Sequence, residues 1–193
     1  MMNAITFGRY NFFTIAHLDT VKEILKIWEN LYILIVDNDL GKTNDCIEGY
    51  EEFYNLCDKN HKEKQIFFNM EERIKMINLA LEKEGIIDRV TVLAYCRPEY
   101  NIEKFNCDFN KNSFSLVFPC TGTEEEPFDK IRNICFEAIL KRKVFSVSPK
   151  TTIHVSQILS QDFCDEKILS VLPKGTREYF QELEGCKRLV VDF

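Results

Sequence analysis

Short runs of apolar residues, separated by amphipathic segments, organise most of the chain. Five of these runs have the length and composition of buried parallel strands, namely 4–7, 31–36, 89–95, 114–118 and 144–147. Apolar residues at helical spacing between them predict helices over about 18–28, 70–84 and 128–139, and shorter ones around 156–160 and 174–184. Gly85 follows the second of these helices as its predicted C-terminal stop.

This alternation of strand and helix predicts an α/β protein. We expect a Rossmann-like, doubly wound parallel sheet of about five strands, with helices on both faces. Residues 1–193 are expected to form a single domain, with a polar insert at about 37–66 and a C-terminal helical segment at about 156–190. Right-handed crossovers would place all the strand carboxyl ends, and therefore the site, along one edge of the sheet.

Composition narrows the function classes. The net charge of −6 argues against nonspecific nucleic-acid binding. Eight cysteines without a C-x-x-C pair, together with only three histidines, disfavour a zinc site and indicate structural thiols in a reducing cytoplasm. We expect no membrane span, since no apolar run reaches about 20 residues, and the N-terminus does not read as a targeting peptide.

The chemistry is concentrated at the first strand–turn–helix, where Gly8 to His17 connect the run 4–7 to the first amphipathic segment. This arrangement points the first backbone N–H groups of the helix at one place, and a helix N-terminus favours anions. Arg9 and His17 add cationic or hydrogen-bonding side chains there. The segment therefore predicts a phosphate site.

The same stretch resembles the G-R-F-x-P-F-H-x-G-H box of the Rossmann-like nucleotidyltransferases, and is similar to that of the archaeal-type nicotinamide-nucleotide adenylyltransferases. The residues that match, or nearly match, the box are Gly8, Arg9, Tyr10, Asn11, Phe13 and His17. Thr14 replaces the first His, as in some branches of the superfamily, while Ala16 replaces the Gly and Phe12 the Pro.

Two later segments extend the resemblance. Residues 68–77 resemble the family's N-P-F-T-x-x-E-R-x-x-M-I segment, in which Glu72 and Arg73 form either an ion pair on a solvated helix face or part of the site. Residues 153–159 resemble the I-S-x-T-x-I-R box that holds the outer phosphates of the triphosphate. Ser156 supplies its hydroxyl, but Leu159 stands where the family has Arg. Lys150 is either a replacement for that Arg or an exposed loop lysine.

The resemblance implies a nucleotidyltransferase that joins the α-phosphate of ATP to a phosphorylated acceptor, such as nicotinamide mononucleotide in NAD biosynthesis. It implies that His17 and Thr14 donate hydrogen bonds to phosphate oxygens and that Arg9 neutralises phosphate charge. The implied nucleotide-binding set is Gly8, Arg9, Tyr10, Asn11, Phe13, His17, Lys150 and Ser156. Magnesium would accompany ATP without a protein metal site, and homo-oligomers are compatible with the family.

Two other functions stay open. Ala16 and Leu159 are also compatible with a nucleotide-binding or regulatory protein that keeps the pocket and has lost the chemistry, because glycine suits a close approach of backbone to phosphate. The third possibility is a cytidylyltransferase with another phosphorylated acceptor. The aromatic platform for a pyridine ring would have to come from Tyr95, Tyr100 or Phe105, since the only Trp lies in the first helix.

Overall fold

The computed structural model describes residues 3–37, 40–63, 66–120, 127–151 and 165–189. The strands are β1 (Asn3–Gly8), β2 (Leu31–Asp37), β3 (Val90–Cys96), β4 (Phe114–Pro119) and β5 (Val144–Val147). The helices are α1 (Ile15–Leu25), α2 (Glu51–Glu63), α3 (Met70–Lys83), α4 (Ile102–Asp108), α5 (Pro127–Ile139), α6 (Asp165–Ser170), α7 (Lys174–Glu182) and α8 (Gly185–Leu189).

The five strands form one parallel sheet in the order β3-β2-β1-β4-β5. This is the doubly wound order, in which the chain moves outward from β1 to one edge and then returns to build the other half. The predicted Rossmann-like fold and its five strands are confirmed. The order places the topological switch point between β1 and β4, where the crevice for a ligand lies in this class of sheet.

Side chains alternate between the two faces of the sheet, and each face is covered by helices. On one face Ala4, Ile33 and Val117 pack with α1 and α3. On the other face, Leu34 and Leu116 belong to a second apolar cluster, which α2, α4 and α5 complete. Helices on both faces were expected, and the fold confirms them.

Two helices lie where the sequence predicted no helix. The polar insert contains α2, whose Phe53, Tyr54 and Cys57 are buried in the second cluster. The loop-like stretch after β3 contains α4, which buries Phe105. Each helix has only a narrow apolar stripe among many polar and charged residues. This stripe is enough to pack the helix against the sheet, because neighbouring elements supply the rest of the apolar cluster. The helix predicted around 156–160 lies outside the described residues.

Helix α3 begins and ends as its sequence predicts. Asn69 caps it: its side chain accepts from the Glu72 N–H at 2.9 Å, and the Glu72 carboxylate accepts from the Asn69 N–H at 2.9 Å. This reciprocal capping box satisfies two amides that the helix would otherwise leave without partners. After the helix, Gly85 takes a φ of 68°, a left-handed conformation that suits glycine.

The C-terminal helices pack on α3 through a third apolar cluster, which includes Phe68, Met76 and Phe180. Helix α7 lies very close to α3 at Gly175, where an added Cβ would lie 2.2 Å from the Leu79 carbonyl oxygen. The Thr176 hydroxyl donates to the Met76 carbonyl at 2.9 Å beside this contact. Only glycine therefore permits the observed approach of α7 to α3.

We expect Gly175→Ala to lower the free energy of unfolding by about 2–3 kcal/mol, because the added methyl group meets backbone that cannot rotate away. Urea denaturation of the purified variant measures this loss. Gln181→Ala, at an exposed position of the same helix, is the matched control and is expected to change stability by less than about 0.5 kcal/mol. Equal stability of the Gly175→Ala and Gln181→Ala proteins would contradict the close packing.

None of the helices in the described ranges is long and apolar enough to cross a membrane. Free thiols are found at Cys46, Cys57, Cys96, Cys107, Cys120 and Cys135.

Candidate functional site

The candidate site lies at the carboxyl end of β1, beside the switch point of the sheet. Residues 9–14 connect β1 to α1, and the Ile15 N–H donates to the Val171 carbonyl at 2.8 Å. The same connection is joined to α3 by Arg73, whose guanidinium donates to the Arg9 carbonyl at 2.9 Å. Two distant parts of the chain, α3 and the segment at Val171, therefore hold this loop and the start of α1.

His17 takes part in the N-terminal cap of α1. Its Nδ1 accepts from the Thr14 backbone N–H at 3.0 Å, and its own N–H donates to the Thr14 hydroxyl at 3.4 Å. A backbone N–H only donates, so Nδ1 must be the acceptor and the neutral ring must carry its proton on Nε2. The cap thus orients the imidazole and leaves Nε2–H as a directed hydrogen-bond donor.

Two aromatic rings hold the His17 imidazole in place. Phe13 stacks on it at a centroid distance of 5.6 Å and an interplanar angle of 21°, and Tyr10 meets it edge to face at 5.2 Å. Burial lowers the pKa of His17 from its ordinary value to about 4. At neutral pH the ring is therefore an uncharged donor.

We expect stability to depend on pH through His17. The unfolded chain binds a proton below about pH 6.5, whereas the folded protein binds one only near pH 4. The contribution of neutral His17 to the free energy of unfolding is therefore fully present above pH 6.5. It is lost as the pH falls from about 6.5 to about 4, which lowers the free energy of unfolding by roughly 2–3 kcal/mol. NMR titration of the imidazole measures this pKa, with His17→Gln identifying the resonance. A His17 pKa of 6.5 or above would contradict the burial.

Most backbone donors at the start of α1 are satisfied within the protein, which corrects the expectation that these N–H groups are directed at a ligand. Thr14 donates to the His17 Nδ1, Ile15 to the Val171 carbonyl, and His17 to the Thr14 hydroxyl. The capping box and the C-terminal segment occupy these donors. Side chains, more than the helix amides, must supply the hydrogen bonds of an anion site here.

The half-buried Arg9 and the buried Arg73 are neighbouring cations, and Asp37 balances their charge. Arg73 is 2% exposed, and its guanidinium donates to the Asp37 carboxylate at 2.6 Å as well as to the Arg9 carbonyl. Burial lowers the pKa of Arg9, the charge of Arg73 lowers it further, and Asp37 opposes both. The interpretation of Arg73 as part of a solvated ion pair is therefore wrong, because it lies inside the protein and supports the loop of Arg9.

Gly8, Tyr10 and Asn11 shape the loop itself. The Tyr10 ring covers Gly8 so closely that an added Cβ would lie 3.2 Å from it. Tyr10 has a φ of 45°, which is unusual for a bulky residue and indicates a strained backbone. Burial raises the pKa of its hydroxyl to about 12. The Asn11 side chain accepts from the Phe67 N–H at 3.0 Å and joins the loop to the segment before α3.

Two residues predicted to contact nucleotide are completely buried. Phe13 and Thr14 are both 0% exposed, so neither side chain is accessible to a ligand in this conformation. This corrects the expectation that Phe13 binds nucleotide and that Thr14 donates directly to phosphate. Instead, Phe13 stacks on His17, and the Thr14 hydroxyl lies 3.0 Å from its Nδ1. Both are positioning residues for the imidazole.

The remaining predicted nucleotide contacts lie after β5. Lys150 is exposed, in agreement with a loop lysine. The neighbouring Thr151 hydroxyl donates to the Asp19 carboxylate on α1, so this loop lies against the helix that carries His17. Ser156 and Leu159 lie outside the described residues.

The three aromatic residues considered as a platform for a pyridine ring are buried in the second apolar cluster. Phe105 is 0% exposed, Tyr100 6% and Tyr95 8%. Tyr100 also contacts two cations, with the Lys42 ammonium 3.7 Å and the Arg97 guanidinium 4.7 Å from its ring centroid. These rings stabilise the region around α2 and α4, and the expectation of an open platform at these positions is wrong.

Sequence reasoning missed two charged residues near the switch point. Asp37 ends β2 and pairs with Arg73. Arg132, on α5, donates to the carbonyl of Pro119, the last residue of β4, at 2.9 Å, and its charge acts on the Tyr10 hydroxyl. Only their positions in the sequence could have indicated them. Asp37 follows a predicted strand directly, and Arg132 lies in the first half of the helix that follows β4, one of the two strands beside the switch point.

No protein-family model matches this chain, and no curated protein matches it in sequence. Solved structures do resemble it. The bifunctional NMN adenylyltransferase/ADP ribose pyrophosphatase of Francisella tularensis, complexed with AMP and a manganese ion, superposes with a TM-score of 0.60 at 13% identity. The match covers 97% of this chain and 50% of that one.

A second structure of the same Francisella tularensis enzyme gives a TM-score of 0.57 at 16% identity, over 97% of this chain and 51% of the other. The chain therefore spans about half the length of both. Sequence identity this low shows a shared fold and leaves the activity to be argued from the site. The chain shares the α/β Rossmann-like fold of these two structures.

Proposed function

We propose that the protein is a nucleotidyltransferase that transfers the adenylyl group of ATP to a phosphorylated acceptor such as nicotinamide mononucleotide. A phosphate oxygen of the acceptor attacks the α-phosphorus, a new P–O–P bond forms, and the bond to the β-phosphate breaks to release pyrophosphate. The attacking phosphate is already ionised, so no general base is required. The protein contributes by positioning both partners and by stabilising charge on the phosphate oxygens.

The geometry of His17 is the observation that carries this proposal. A neutral imidazole, oriented through Nδ1 by the Thr14 N–H, carries its proton on Nε2 at the first turn of α1. Such a donor stabilises an α-phosphate oxygen as its charge increases, without a proton having to move. The ring is already oriented before substrate binds, so the hydrogen bond costs little reorganisation.

Cationic side chains around the loop support the same function. The proposal assigns Arg9 to neutralising phosphate charge, with Arg73 and Asp37 fixing its backbone. Ser156 and Lys150 are assigned to the outer phosphates, where the family's Arg is replaced by Leu159. Gly8, Tyr10 and Asn11 complete the proposed nucleotide contacts through the shape of the loop.

Magnesium is proposed to enter with ATP as its substrate complex. Mg²⁺ keeps several waters and binds mainly through phosphate oxygens in sites of this kind. Within the described ranges, no group of three or more His, Cys, Asp or Glu side chains is placed to hold a metal ion.

A second candidate is a nucleotide-binding protein without transferase activity. One feature of the site favours it: the amides of Ile15 and His17 are already bonded within the protein, which reduces the donors available to a triphosphate. Ala16 also adds a methyl group at a position where the family has glycine. Both candidates require ATP to bind, and only the first requires it to be consumed.

The test is incubation of the purified protein with ATP, magnesium and nicotinamide mononucleotide, with pyrophosphate and the dinucleotide product followed separately. We expect both products at equal rates. A panel that replaces ATP by CTP, and the mononucleotide by other phosphorylated acceptors, identifies a transferase with a different substrate. ATP binding without pyrophosphate release in any combination would overturn the transferase proposal and establish the second candidate.

A further inference from the structure

An acidic residue lies beside the loop to which the phosphate contacts are assigned. Gly8 pairs with Ile35 at the carboxyl edge of the sheet, so Asp37, two residues further along β2, lies beside the start of the β1–α1 connection. Its side chain is only 13% exposed. A carboxylate next to a site for phosphate repels the ligand, because like charges at short range raise each other's energy. The position of Asp37 therefore matters for how strongly the site binds anions.

One guanidinium joins this carboxylate to the backbone of Arg9. The Arg73 Nη2 donates to the Asp37 carboxylate at 2.6 Å, and its Nη1 donates to the Arg9 carbonyl at 2.9 Å. Because both acceptors are bonded to the same planar group, they lie within about 8 Å of each other. Burial lowers the pKa of Arg9, the charge of Arg73 lowers it further, and Asp37 raises it. The charge of Asp37 therefore acts on the Arg9 guanidinium as well as on Arg73.

The two arginines depend on Asp37 in opposite ways. Arg73 is 2% exposed, so its charge needs a partner inside the protein, and Asp37 supplies one. The half-buried Arg9 is assigned to phosphate, and there the same carboxylate opposes the attraction of an anion. Among these three side chains, one positive charge remains after the carboxylate is counted. The site therefore attracts phosphate groups, but less strongly than the two arginines alone would.

We propose that Asp37 limits the affinity of the site for phosphate-bearing anions, and that this limit lets pyrophosphate leave after adenylyl transfer. The inference rests on the function proposed above and assigns to Asp37 a role in product release. Asp37 acts through the charge of Arg9 and not by contact with the ligand, so it is a positioning residue. A more tightly held anion leaves more slowly, because differences in affinity between related complexes lie mostly in the dissociation rate.

The test is calorimetric titration of the full chain with pyrophosphate, without ATP or acceptor. Asp37→Asn keeps an acceptor for Arg73 but removes the charge, and we expect it to bind pyrophosphate about tenfold more tightly than the wild type at low salt. The difference is expected to decrease as the salt concentration rises. Asp37→Glu keeps the charge and is expected to keep wild-type affinity. Glu178→Gln, which removes one negative charge from an exposed pair with Lys83, is the matched control.

A double variant shows whether Asp37 acts through Arg9. In an Arg9→Gln background, Asp37→Asn is expected to change pyrophosphate affinity by less than about threefold. An effect that stays tenfold there would contradict the role of Arg9.

A stability measurement covers the case in which Asp37→Asn unfolds because Arg73 has lost its counter-ion. Pyrophosphate is then expected to restore the fold, and to raise the melting temperature more than it does for the wild type, because it binds only the folded protein. Failure of pyrophosphate to restore the fold would overturn the inference. Equal affinity of the wild type and Asp37→Asn would overturn the role of Asp37 alone. Absence of pyrophosphate binding in both proteins would overturn the proposed function and this inference with it.

Discussion

His17→Ala is expected to lower the rate of pyrophosphate release by about 10²–10³-fold, because it removes a preorganised donor to the charge that develops on the α-phosphate. The substitution also removes the acceptor of the Thr14 N–H from the cap of α1. Its cost in stability is small beside its effect on turnover, about 0.5–1 kcal/mol. Steady-state kinetics with the identified acceptor measures the effect, which we expect mainly in kcat.

Two further substitutions at the same position separate capping from catalysis. Glutamate and glutamine both serve in the third position of a capping box, so each preserves the start of α1. His17→Glu places an acceptor where the donor was and is expected to be as inactive as His17→Ala with a normal fold. His17→Gln keeps an N–H donor and is expected to retain part of the activity. Full turnover by His17→Ala would falsify the role assigned to this residue.

Arg73→Met is expected to have the largest effect on stability, lowering the free energy of unfolding by about 3–5 kcal/mol. The substitution leaves the Asp37 carboxylate, whose side chain is 13% exposed, without the guanidinium that lies 2.6 Å away. It also removes the donor to the Arg9 carbonyl, so the loop between β1 and α1 loses a support. Urea denaturation measures the loss, and kinetics of the folded fraction shows the effect on the site.

Arg188→Met is the matched control for this experiment. Arg188 also donates to a carboxylate, that of Glu72 on α3 at 2.9 Å, but its side chain is 37% exposed. Because water screens such a pair, we expect a loss of about 1 kcal/mol or less. The double variant Arg73→Met/Asp37→Leu removes both buried charges and is expected to recover part of the stability. Equal losses for Arg73→Met and Arg188→Met would show that the buried pair has no special role.

The sequence was most informative where a continuous pattern determines structure locally. Predominantly apolar runs such as 31–36 predicted every strand of the sheet, because a parallel strand covered on both faces is built mostly of apolar residues. The start and end of α3 were equally predictable from its capping residues and Gly85. In contrast, α2 is stabilised by contacts with distant elements. Its sequence is rich in charged residues, so the few apolar residues that it buries did not indicate a helix.

The candidate site was only partly predictable, for a different physical reason. A motif gives the order of residues but not the direction in which each side chain points. Phe13 and Thr14 belong to the same loop as His17, yet they face inward and hold the imidazole. Arg73 lies 64 residues from Arg9 along the chain, and only the fold brings its guanidinium to the Arg9 carbonyl.

The hydrogen bond between the Ile15 N–H and the Val171 carbonyl has a consequence for biosynthesis. A nascent chain that has completed β5 possesses every strand of the sheet, but the first amide of α1 still lacks this partner. The loop that carries His17 is therefore completed only after residue 171 has left the ribosome and α3 has received the helices that follow it. Nucleotide binding is expected to begin only once residue 171 and the helices around it have folded, and not with the folding of the N-terminal half.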